Sequence, residues 1–158
     1  MCCGVVWWVV VGMVGPAHFF QGRGNPVQVI GHEITHGFDD QGRQYDGTGS
    51  LSPWWSDETI AAFAGKAQCF IDQYGNYTVP ELIPILGEED AHLNGELTQG
   101  ENIADNGGIH ESFRAYQRSI ESLGAEPALP GLTQFTPEQM FFISNAQVLS
   151  ECGRLIGT

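Results

Sequence analysis

The feature that most constrains this chain is the run Val29-Ile30-Gly31-His32-Glu33-Ile34-Thr35-His36-Gly37-Phe38-Asp39-Asp40, which contains the pattern H-E-x-x-H. On an α-helix, residues four apart stand one above the other on one face, so His32 and His36 can both reach a single metal ion. That spacing suits zinc. Glu33, rotated by about 100° around the axis, cannot share the ligand direction but can lean over a water at the metal, the place of a general base. Ile30, Ile34 and Phe38 recur every four residues roughly opposite the histidines, which predicts one helix face against a core and the other toward a cleft. A solvated helix could carry the same string without a metal, so the pattern alone leaves both readings open.

The rest of the chain narrows them. With 158 residues and 42% hydrophobic content, it is long enough for a globular domain with a real core. Its 19 acidic residues against 6 Lys plus Arg argue against nucleic acid or an anionic membrane surface as a partner, and they favour cations. The first fifteen residues, MCCGVVWWVVVGMVG, are apolar, lack a basic leading region and fall short of the roughly 20 residues that span a bilayer. They read as no convincing membrane anchor; a signal-like core, a buried strand and a mis-assigned start all stay open. Four cysteines, Cys2, Cys3, Cys69 and Cys152, make no disulfide framework, and Asn76-Tyr77-Thr78 is an N-glycosylation acceptor pattern.

In chain order, Asn25-Pro26 is a suitable start for the H-E-x-x-H helix and Gly42 a natural stop. Ser56-Asp57-Glu58 caps a second helix over about residues 57–74, with Ile60, Phe63, Ala67, Phe70 and Ile71 as its apolar stripe. Residues 76–94, broken by prolines and glycines, read as a long loop. A third helix opens at Thr98 and runs through Ile109, Phe113, Tyr116 and Ile120, with Glu101 and Asp105 on nearly the same side. That side is expected to face inward, where two carboxylates need a cation or hydrogen-bonding partners. Gly107-Gly108 inside this helix implies another backbone packed close by. Thr136-Pro137-Glu138-Gln139 is a capping box that opens a short last helix.

A catalytic zinc takes three protein ligands and leaves one position open. His32 and His36 supply two, and Glu101 is the best candidate for the third, although Thr98 and Glu101 also form a T-x-x-E capping box that would occupy the carboxylate differently. Asp105, one turn later, could accept the second ring N–H of a zinc histidine. Asp39, three residues after His36, could do the same there or could be a solvated acid beyond the helix end. Such a set would perform metal-assisted amide hydrolysis.

At this point the chain resembles the neprilysin and endothelin-converting-enzyme family of zinc metallopeptidases. VIGHEITHGFDDQGR and GENIADNGG are similar to that family's signatures, in the same order, and WW, QYGNYT, HLNGELT, RAYQ, LPGL, QMFFISNAQV and RLIGT also match. The resemblance covers residues 27–158, as part of a metallopeptidase catalytic domain, with residues 1–26 an apolar segment and loop outside it. It implies a mainly α, zincin-like core, an H-E-x-x-H helix packed against an E-x-x-x-D helix, with little or no β-sheet. It further implies one Zn2+ ion held by His32, His36 and Glu101, Glu33 as catalytic base, Asp105 orienting His32, and Arg154 binding substrate. The family's members are extracellular or cell-surface endopeptidases, often glycosylated, that cut peptides on the amino side of hydrophobic residues.

The chain also departs from the family. It carries no counterpart of the large helical lobe, of the substrate-binding strand before the zinc helix, or of the His-Ser-Pro histidine that stabilises the oxyanion. Ser150-Glu151-Cys152-Gly153 stands where that stretch is expected. Loss of one oxyanion donor typically costs about 10²–10³ in rate. The resemblance therefore leaves a catalytically silent, zinc-binding remnant as the alternative, and implies unpaired thiols at Cys69 and Cys152.

Overall fold

The computed structural model describes residues 26–88 and 90–156, with side chains described as far as residue 147. The apolar segment 1–25 lies outside the described residues. Among the described residues five α-helices follow one another, α1 Pro26–His36, α2 Asp57–Gly75, the single turn α3 Ile83–Leu86, α4 Gln99–Leu123 and α5 Pro137–Ile156. No strand forms among the described residues; only the isolated antiparallel bridges Tyr45–Leu51 and Thr78–His92 occur. The mainly helical expectation holds. These residues divide into two compact units, one over 33–106 and one joining 26–32 to 107–156.

In the first unit, α2 starts as its sequence directs. Ser56 accepts a hydrogen bond from Thr59 N, and Asp57 and Glu58 occupy the first turn, where the helix dipole favours acids. The chain enters α2 through an edge-to-face series of rings, Phe38 to Trp54 to Trp55 to Phe63, with centroids 6.5, 5.5 and 5.6 Å apart. Arg43 lies over Phe63, 5.0 Å from its ring centroid. Residues 76–94 are more ordered than the expected long loop. Val79 N donates to Ala91 O and Leu93 N to Tyr77 O, closing the segment on itself around a 3-10 turn at Pro80–Leu82 and α3. Leaving it, Gly95 passes so close to α2 that a Cβ there would lie 2.2 Å from Ile71 O. Across the unit, Asn106 Nδ2 donates to Tyr74 Oη at 2.9 Å, fixing α4 to α2.

The second unit is built on the apolar side of α4. Tyr116 and Phe141 are its fully buried rings, stacked at 5.5 Å, with Val27, Ile109, Phe113 and Ile120 packed around them. Removing two such side chains from water contributes about 1.5–3 kcal/mol each. α5 begins with the expected capping box in both directions, Gln139 N donating to Thr136 Oγ1 and Thr136 N to Gln139 Oε1. It runs to Ile156 and so is longer than the short helix expected, because nothing in Ser150-Glu151-Cys152-Gly153 breaks it.

The orientation of α1 corrects the sequence reading. Ile30 and Ile34 are exposed, together with Val29, while Gln28, Gly31 and Thr35 are buried. The reason is a backbone contact: a Cβ on Gly31 would stand 3.0 Å from Gly108 Cα, and one on Gly108 would stand 2.6 Å from Gln28 O and 2.8 Å from His32 N. Helices this close seat small residues against each other, so α1 turns its small and polar side toward α4. The close approach expected at Gly107-Gly108 is thus present at Gly108. Gly42, expected to end α1, instead lies after the turn, where a Cβ would meet His36 O at 1.8 Å.

Gly108→Ala places a methyl against backbone that cannot step aside, so it is expected to destabilise the fold by about 1–3 kcal/mol despite alanine's better helix propensity. Gly65→Ala, in α2 with nothing within 4 Å of its Cβ position, is expected to stabilise by about 0.5–1 kcal/mol. Urea melts of both variants check this pair of opposite signs.

Candidate metal centre

His32 and His36 lie on α1 one turn apart, and Glu101 lies in the first turn of α4. Each offers one ligand atom, and the three atoms all lie within 4.8 Å of one another. His36 Nε2 is 3.6 Å from Glu101 Oε2. Two donors bound to one tetrahedral zinc at about 2.0–2.1 Å stand roughly 3.3 Å apart, so this pair needs little movement to share an ion. Two imidazoles and a carboxylate are also donors of the kind that zinc takes.

The Glu101 side chain is 70% exposed. This corrects the inward-facing expectation for the start of α4: the same side is half-buried at Asp105 and buried further along, at Gly108, Ser112 and Tyr116. The capping-box account of Thr98 and Glu101 is not what forms either. Thr98 Oγ1 and N both donate to Asn94 O, and Asn102 Nδ2 donates to Thr98 Oγ1. The helix start is therefore secured by Asn94, which leaves the Glu101 carboxylate directed to His36.

Asp39 is 5% exposed, which removes its reading as a solvated acid. His36 Nδ1–H donates to Asp39 Oδ2 at 2.7 Å. Because a carboxylate only accepts, this bond places the proton on Nδ1 and the neutral ring's lone pair on Nε2, on the side of Glu101. Asp39 is itself fixed, since its Oδ1 accepts from Gln41 N at 2.8 Å and Gly42 N at 2.7 Å. These two amides escaped the sequence reading. An aspartate followed two and three residues later by Gln41 and Gly42 is the pattern of an Asx turn, which could have signalled them.

Burial alone would lower the His36 pKa, but it is raised, because the hydrogen bond that the ring donates to Asp39 and the charges of Glu101, Asp39 and Glu33 together outweigh desolvation. Glu33 is exposed on α1, next to His32. Asp105 is half-buried on α4, one turn beyond Glu101. Arg154 lies within α5, its side chain outside the described residues. Cys69 is disulfide-bonded, which corrects the expectation of a free thiol there; the other three cysteines have side chains outside the described residues.

Residues 18–154 match the model of Peptidase family M13. The chain belongs to peptidase family M13. Its sequence is 54% identical over 126 residues to Neprilysin-11 of Caenorhabditis elegans, covering 80% of this chain and 14% of that protein. It is 50% identical over 120 residues to endothelin-converting enzyme 1 of Bos taurus, covering 76% of this chain and 15% of that protein. Among solved structures, the zinc metalloprotease Zmp1 of Mycobacterium tuberculosis, in complex with an inhibitor, is 40% identical with a TM-score of 0.70, over 84% of this chain and 19% of that one. This M13 chain thus spans about one seventh of the length of the two curated relatives. The neprilysin and endothelin-converting-enzyme resemblance is borne out at the level of the family.

In the metal-free M13 chain, the His36 ring is expected to titrate above the ordinary imidazole value of about 6.5. Asp39→Asn should bring that pKa down, as followed by NMR of the ring protons. The same substitution should weaken zinc binding about 10–100-fold, since it removes the acceptor that orients the ring.

Proposed function

We propose that residues 27–158 form part of the catalytic domain of a zinc-dependent endopeptidase, with His32, His36 and Glu101 as ligands of one Zn2+ ion. The observation that carries this reading is the convergence of those three donors within 4.8 Å on two helices. Membership of the M13 family supports it. Zinc, when bound, supplies Lewis-acid polarisation of a carbonyl and acidifies water.

The chain's own residues do the rest. Glu33 takes a proton from the attacking water onto its carboxylate and hands it to the departing amine, a role open to an exposed side chain one position from a ligand histidine. Asp39 holds the His36 ring by Nδ1 so that Nε2 faces Glu101. Asp105 is assigned the matching task for His32, and Arg154 the task of binding substrate. Substrates are peptides cut on the amino side of hydrophobic residues, the preference that the family resemblance implies. The disulfide at Cys69 supports an extracellular or cell-surface setting, because cysteine pairs persist in oxidising compartments. No described helix is long and apolar enough to cross a membrane.

A second reading is a zinc-binding chain without turnover, favoured by the departure from the family pattern within the chain, where Ser150-Glu151-Cys152-Gly153 stands in place of the histidine-bearing stretch. Purified protein loaded with zinc should hold one ion per chain, and Glu101→Ala should lower that content; equal zinc in both would sink the third-ligand assignment. Cleavage of a quenched hydrophobic peptide should be lost with chelator and fall steeply in Glu33→Gln while its zinc stays bound. Zinc retention with no wild-type cleavage would favour the silent reading.

A further inference from the structure

We propose that the absence of a side chain at Gly100 is a positioning device of the metal site, setting how closely the first turn of α4 can seat against the Asp39–Asp40 turn. The inference rests on the zinc reading given above. Glycine in a helix costs about 1 kcal/mol relative to alanine, so its presence next to Glu101 calls for a reason in the packing. A Cβ on Gly100 would stand 2.8 Å from Asp40 Oδ1 and 3.4 Å from Asp39 Oδ2. The second of these is the oxygen that accepts from His36 Nδ1. The space that a methyl would fill is therefore occupied by the two carboxylates that follow the H-E-x-x-H helix.

The Asp39 side of this contact cannot step away freely. Asp39 is held by the Gln41 and Gly42 amides on one oxygen and by the His36 ring on the other. Asp40 Oδ1 is buried without a hydrogen-bond partner, so only the enclosure around it resists its displacement, while its Oδ2 accepts from Gln41 Nε2 and its carbonyl from Gln44 Nε2. The start of α4 is held in turn by Asn94, through Leu97 N to Oδ1 and Thr98 N to the carbonyl. A methyl at position 100 would wedge this seat open, and Glu101, the next residue, would retreat from His36. Gly100 thereby sets the 3.6 Å separation of two of the three proposed ligands without contacting the metal itself.

The test is zinc affinity, measured by competition with a chromophoric chelator, together with thermal melts of the metal-free protein. Gly100→Ala should stay folded and melt near the wild-type temperature, the helix propensity of alanine offsetting part of the strained contact with a side chain that can shift, yet bind zinc about tenfold or more weakly. Asp40→Ala alone should bind zinc as the wild type does. The double variant Gly100→Ala/Asp40→Ala, which removes the nearest obstacle to the methyl, should recover most of the lost affinity. Wild-type affinity in Gly100→Ala, or a loss that Asp40→Ala fails to restore, overturns the proposal. If the wild-type chain itself binds no zinc, or if His36→Ala binds it equally well, the zinc reading fails instead.

Discussion

The contact on which the second unit and the seating of the H-E-x-x-H helix depend is between two backbones, α1 at Gly31 and α4 at Gly108. At this distance there is no room for a Cβ on Gly108, because Gln28 O and His32 N already occupy its place. Ordinary helix packing interleaves apolar ridges and grooves at 8–10 Å between axes. Here the seat selects for small size before hydrophobicity, and α1 presents Gln28, Gly31 and Thr35 to it. The histidines follow from that rotation, since both are half-buried along the border between the seated and the open sides.

Much of this was legible in the residues. Pro26 as the first helical position, Ser56 and Thr136 as caps, and the apolar side of α4 from Ile109 to Ile120 are local signals, and the fold obeys them. The common face of His32 and His36 was also legible, because a four-residue spacing is fixed by helix geometry, whereas the nearness of Glu101 to them is a matter of packing between helices. What could not be read off was the outcome of competition between elements. Counting apolar residues points Ile30 and Ile34 inward, yet a glycine-to-glycine seat outweighs them. The inward reading of Glu101 failed for a related reason: one face of a 25-residue helix need not be buried along its whole length. The anchoring of Asp39 depends on a turn closing just after α1, which periodicity does not detect.

The electrostatics of the site follow from its composition. Glu33, Asp39 and Glu101 bring negative charge to His36, and their combined effect on its proton exceeds the penalty of burial. A chain of net charge −13 has few cations with which to balance such a cluster. A divalent ion would relieve the repulsion while taking the lone pair that Asp39 already exposes at Nε2. Around His36 the acids are thus of two kinds, Asp39, fixed by amides to hold the ring, and Glu33 and Glu101, which stand at the surface.

The inverted polarity of α1 has a consequence for how variation along this segment should be judged. On a typical amphipathic helix, hydrophobicity is a fair proxy for intolerance to change, because the oily positions are the packed ones. Along α1 that proxy ranks the positions backwards: Val29 and Ile30 stand in solvent, while Gln28, Gly31 and Thr35 meet their neighbours at close range. A substitution there is properly weighed by the volume it adds on the α4 side, and a scale of oiliness would flag the wrong residues.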